Sequence, residues 1–220
     1  MEKYLNPTYY IDSDHPAVIE FANKHTKSGE KEIEKAVQLY YAVRDNIRYN
    51  PYSMEPYKES MKASSVLNKK YGYCVAKAVL LTACARSQKI PARLGFADVK
   101  NHLTTKRLMK LMGTDVYVYH GYTELFLNSK WVKATPAFNL ELCDNFNVKP
   151  LEFDGTTDSI FHPFDKSGNQ HMEYVKDHGS FADLPWETII TESKKSYPLY
   201  FEDLERRSKD FSAEALRENQ

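Results

Sequence analysis

The segment YGYCVAKAVLLTACARSQKIPAR, residues 71–93, decides how this chain folds. Gly72 permits a sharp backbone turn, and from Cys74 to Gln88 the chain offers Val75, Ala78, Val79, Leu81, Thr82 and Ala85 with few charged positions between them. That pattern predicts a helix buried on most sides rather than one with a single wet face. Cys74 falls in its first turn, where free N–H groups and the helix dipole favour thiolate, the nucleophilic form. Its own N–H, together with Asn68 or Tyr73, would hold an oxyanion. Cys84 lies in the apolar middle of the same helix and Cys143 follows a loop, so both read as small buried hydrophobes.

Working outward, EKEIEKAVQLYYAVRDNIRY from Glu30 carries apolar residues at helical spacing with acids in its first turn, and predicts an amphipathic helix ending before Pro51. Residues 1–29, broken by Pro7, Pro16 and Gly29, form a preamble. Downstream, Ile90 to Val99 reads as a strand, and the basic run Lys100 to Lys110 as a solvated loop or short helix. Asp115 to Leu127 and Lys130 to Thr135 read as a hairpin turning at Asn128-Ser129. Residues 149–220 form a turn-rich, tyrosine-rich extension on the 30–148 core, within the same domain, ending in a charged, exposed helical tail from about Phe201.

Thirty Lys and Arg balance thirty Asp and Glu, so no electrostatic footprint for nucleic acid or an anionic membrane exists. The most apolar stretch, Ala78 to Ala85, is far shorter than the roughly 20 residues that span a bilayer. Three cysteines without CxxC spacing indicate neither a disulfide framework nor a zinc cluster, and a reducing cytoplasm is the expected compartment. No GxGxxG, GxxxxGK or GxSxG string occurs, so no cofactor is expected. Around the turn Lys166-Ser167, His162 falls opposite His171, near Asp158 and Glu173. This could hold a divalent ion, but a surface histidine pair is the favoured reading and no metal is assigned.

His120 shares a strand face with Val118, Tyr122 and Glu124. A two-residue turn at Asn128-Ser129 sets it opposite Ala137, with Thr135 and Asn139 diagonal on the same face. A hydroxyl or amide there would orient the ring, the arrangement a cysteine nucleophile requires of its base.

These residues carry a resemblance. Tyr71-Gly72-Tyr73-Cys74 and the run Arg86 to Arg93 resemble the nucleophile segment of the transglutaminase-like superfamily, a G-x-C helix followed by an R-x-x-G-I-P-A-R-like turn. His120-Gly121-Tyr122-Thr123-Glu124 and Lys130-Trp131-Val132 resemble its H-x-W-x-E and W-V strands. The resemblance covers about residues 30 to 140. It implies an α+β, papain-like core with the nucleophile helix packed on an antiparallel sheet, and a catalytic order of Cys, His, Asp. The family pattern continues W-V-x-x-D-P, whereas this chain has Thr135 at the aspartate position. Cys74 and His120 therefore carry over by motif, Thr135 by position, and Asn139 by hairpin geometry. The expected activity is acyl transfer on a peptide or protein amide through a thioester, by hydrolysis or transamidation. The alternative is a degenerate, non-catalytic binding or scaffold module. No nucleic-acid or membrane partner is expected.

Overall fold

The computed structural model describes residues 1–102, 104–161, 165–168, 171–202 and 210–218. Its first half is helical: α1 (Pro16–His25), α2 (Glu32–Asn46), the short strand β1 (Arg48–Tyr49), α3 (Ala63–Lys69), β2 (Tyr71–Gly72) and α4 (Cys74–Ser87). Then come β3 (Ala92–Asn101), α5 (Lys106–Met112), β4 (Val116–Leu127), β5 (Lys130–Ala134), α6 (Leu140–Asn145), β6 (Met172–Phe181), α7 (Trp186–Ser196), α8 (Pro198–Glu202) and α9 (Phe211–Glu218). The architecture is α+β, as the sequence predicts.

The main sheet has the order β5-β4-β3-β6 with antiparallel neighbours, and β1 and β2 pair in parallel as a separate two-stranded ladder. Asn128 (φ 47°) and Ser129 (φ 65°) both take the left-handed conformation, which matches the strand twist and holds a two-residue turn. The turn sets Leu127 against Lys130 and Thr123 against Ala134, the register the sequence predicts.

Every residue of α4 from Cys74 to Arg86 is buried. Its three long or hydroxylated polar side chains bond to surrounding elements. Lys77 Nζ donates to the carbonyls of Arg44 (2.8 Å) and Ile47 (2.5 Å) at the end of α2. The Thr82 hydroxyl lies 3.2 Å from that of Thr123 on β4, and Arg86 donates to the carbonyls of Ala92, Asn6 and Ala182. Such bonds are what a buried cation needs in order to be tolerated.

Three expectations need correction. The ladder between β4 and β5 ends at Thr123 and Ala134, because the chain then leaves the sheet: Thr135 N–H donates to Ser159 O and Ser159 N–H to Lys133 O. His120 therefore lies beyond the β4–β5 ladder and is not paired with Ala137, while on its other side it pairs with Ala97 of β3. The tail is not an exposed helix. Phe211, Glu214 and Ala215 of α9 are buried, Phe211 against Tyr49, Tyr52 and Phe146, while Glu214 accepts from the hydroxyls of Tyr52 and Thr105. Finally, the strand carrying the residues after His171 pairs with β3, and His171 is itself buried, so it is no surface histidine. His162 lies outside the described residues.

Gly121 is where β4 meets the start of α4. A Cβ there would stand 2.9 Å from Val75 Cα and 3.1 Å from Val75 Cγ2, and the first of these is backbone that cannot yield. Gly121→Ala should cost about 1–3 kcal/mol of stability, as overpacking usually does, measurable by urea unfolding.

Candidate active site

The β1–β2 ladder fixes the backbone that enters α4, so Tyr73 arrives extended (φ −85°, ψ −178°) as the residue before the first helical turn. The side chain of Tyr73 does not cap the helix, which leaves the first N–H groups free. Cys74 occupies the first helical position, where the backbone N–H groups of Gly121, Val75 and Cys74 itself favour a negative sulfur. They do not make it a thiolate. Cys74 is only 9% exposed, and burial outweighs those donors and pushes the thiol up to about 11. The helix dipole expected to favour a thiolate is opposed here by desolvation, which is the larger effect. Burial alone raises Cys84, and it pushes Cys143 to about 11.

His120 is set by a feature that periodicity does not reveal. The β3–β4 register slips between Ala97, which faces His120, and Val99, which faces Tyr117, so β4 carries a bulge immediately before the histidine. Tyr119 occupies it at φ 53°, a conformation that costs a bulky residue strain and so needs external support. Asp98 supplies it: its Oδ1 accepts from Tyr119 N–H at 3.0 Å and lies 2.7 Å from His178 Nε2. The His178 ring stacks on Tyr119 with centroids 3.9 Å apart. Asp98 and His178 are positioning residues the sequence reading missed. Only a carboxylate inside an apolar strand hinted at them.

The His120 ring packs on Phe161 with centroids 5.1 Å apart, and its buried Nε2 has no hydrogen-bond partner among the described residues. Burial pushes its pKa down to about 4. Cys74 and His120 line one cleft, with aromatic walls that include Tyr49, Tyr73, Tyr117, Tyr197, Phe138 and Phe161. Asn68 is not among the lining residues.

Thr135 and Asn139 stand outside the cleft lining. Thr135 is buried, and its hydroxyl has no hydrogen-bond partner among the described residues, although the Tyr174 phenol approaches it outside hydrogen-bond geometry. Asn139 precedes α6 and its side-chain oxygen accepts from Tyr49 N–H at 3.0 Å. The oxygen expected to orient His120 is therefore committed to β1. Among the described residues no group of three or more His, Cys, Asp or Glu side chains is placed to hold a metal ion, and no helix is long and apolar enough to cross a membrane.

A cysteine at a helix start, a histidine on the adjacent strand and a shared cleft define the class of papain-like cysteine-nucleophile folds. Comparison with known proteins agrees at the level of family: the transglutaminase-like superfamily matches over residues 19–136, and the chain belongs to it. No curated protein matches the chain. Two of the solved structures that resemble it can be described. One is a proposed cysteine protease from Cytophaga hutchinsonii, with 21% identity and a TM-score of 0.47 over 60% of this chain and 40% of that one. The other is a proposed protease from Parabacteroides distasonis, with 19% identity and a TM-score of 0.39 over 61% of this chain and 25% of that one. The chain spans less than half the length of either.

Two predictions follow from this geometry. A histidine whose folded pKa lies near 4, against 6.5 unfolded, refuses a proton that the unfolded chain accepts, so stability is lost as pH falls from 6.5 to 4. The loss from this group should be about 3 kcal/mol, and His120→Gln should lack it when urea unfolding is compared at pH 7.5 and 4.5. Asp98→Ala leaves Tyr119 N–H without its acceptor and should cost about 1–3 kcal/mol, with a changed His120 ring environment by NMR while the Cys74 peptide keeps its fold.

Proposed function

We propose that this chain is an acyl-transfer enzyme that acts on peptide or amide bonds through a thioester on Cys74. The observation that carries the reading is that Cys74, at the start of α4, and His120, on β4, line one cleft, with Gly121 next to His120 packed against Val75 next to Cys74. Entry of substrate and water lowers the desolvation that holds Cys74 as a thiol. His120 takes the proton, the sulfur attacks the carbonyl carbon, and N–H groups of the helix start receive the oxyanion. The histidine then protonates the leaving amine. Water releases a carboxylic acid from the thioester, or a second amine forms a new amide.

Thr135 is the better candidate to orient the ring, because its hydroxyl is uncommitted while the Asn139 oxygen is held by Tyr49. A hydroxyl lends an imidazolium less support than a carboxylate, so the pair works at a low rate. One observation favours the other reading, a binding or scaffold module: at neutral pH the resting pair is neutral thiol and neutral imidazole, with burial the only influence on the ring's titration. The three unpaired thiols fit a reducing compartment, the cytoplasm.

Mass spectrometry of the chain after exposure to an activated acyl donor separates the two. The enzyme reading requires a thioester on the Cys74 peptide that turns over, vanishes in Cys74→Ser and forms about 10²-fold more slowly in His120→Ala. Thr135→Asp should speed acylation, and Asn139→Ala should lower stability by about 1 kcal/mol with little effect on that rate. A folded chain that never acylates is the scaffold.

A further inference from the structure

The shape and chemistry of the cleft carry a statement about what enters it. Among the described residues that line it there is no Asp, Glu, Lys or Arg. The aromatic walls are completed by Met54, Met112 and Met172, side chains that adapt to an irregular apolar guest.

The segment beyond the family match builds much of this lining: Phe138, Phe161, Met172, Ile189, Ser193 and Tyr197 all follow residue 136. About a third of the lining, most of it apolar, is therefore contributed by residues beyond that match. One polar group stands out. Tyr73 lines the cleft next to Cys74, and its phenol oxygen is buried without a hydrogen-bond partner among the described residues. Burial holds that phenol firmly protonated, so it can donate.

We infer that the cleft takes an acyl group bearing an uncharged apolar side chain, aryl or branched alkyl, with the Tyr73 hydroxyl donating to an uncharged oxygen of the same guest, and that it turns away charged acyl groups. A carboxylate or ammonium placed there would lose its water and find no countercharge, whereas an aryl group would exchange water for aromatic and thioether contacts. This rests on Cys74 being the acylated residue.

Thiol-directed reagents test it without assuming turnover. Iodoacetate and iodoacetamide have nearly the same shape and differ in charge, and N-benzyl iodoacetamide adds an aryl group. Rates at the Cys74 peptide are compared in the folded chain and in the urea-unfolded chain, so that intrinsic reactivity cancels. Folding should shift the iodoacetamide-to-iodoacetate ratio by about tenfold or more in favour of the neutral reagent, and should favour the benzyl reagent over the parent amide. Equal ratios in the folded and unfolded chains overturn the inference and leave the acyl-transfer reading standing. If none of the three reagents reaches Cys74 in the folded chain while the unfolded chain is modified, the acyl-transfer reading fails and the inference with it.

Discussion

Helix α4 has no face to water, and the surrounding structure follows from that constraint. An apolar helix could be buried by any greasy surface, but this one carries Lys77, Thr82 and Arg86 into the interior, each of which must find hydrogen-bond partners there. Each partner belongs to a different piece of chain. Lys77 ties the end of α2, Thr82 ties β4, and Arg86 ties the start of β3, the N-terminal segment at Asn6 and the segment after β6 at Ala182. Burial pulls the Arg86 pKa down only to about 10, so it stays charged at neutral pH and its three carbonyl bonds are charge-assisted. Removing Lys77 or Arg86 would leave carbonyls without these donors as well as a void.

The same burial sets the state of the site. At the start of α4 two influences oppose each other on one atom. Backbone N–H groups stabilise a negative sulfur, and exclusion of water destabilises it more. His120, one strand away, suffers the same exclusion in the opposite charge sense. Both groups rest neutral for one reason, and whatever rehydrates the cleft acts on both together.

The parts of the fold that depend on local pattern were readable in the sequence. The start of α4, the β4–β5 turn and the strand after Pro91 all fall within a residue or two of where spacing puts them, because Gly72, the Asn128-Ser129 pair and the apolar runs act locally. Cys74 and His120 were legible through motif. What pattern does not encode is where a ladder stops or slips. The register from the turn holds as far as Ala134, but extrapolating it to Ala137 fails since Ser159 competes for the Thr135 backbone. The bulge at Tyr119 is likewise invisible, as it is made by Asp98 and His178, far apart in the chain. The docking of α9 rests on Glu214, an ordinary charged residue in sequence that becomes a buried acceptor only once Tyr52 and Thr105 surround it.

The closed cleft bears also on the chemical durability of the nucleophile. Oxidation of cysteine to sulfenic acid and beyond proceeds from an accessible thiolate, whereas Cys74 is 9% exposed and its burial favours the protonated thiol. Peroxide that would consume an exposed, low-pKa cysteine meets here a protonated sulfur behind aromatic walls.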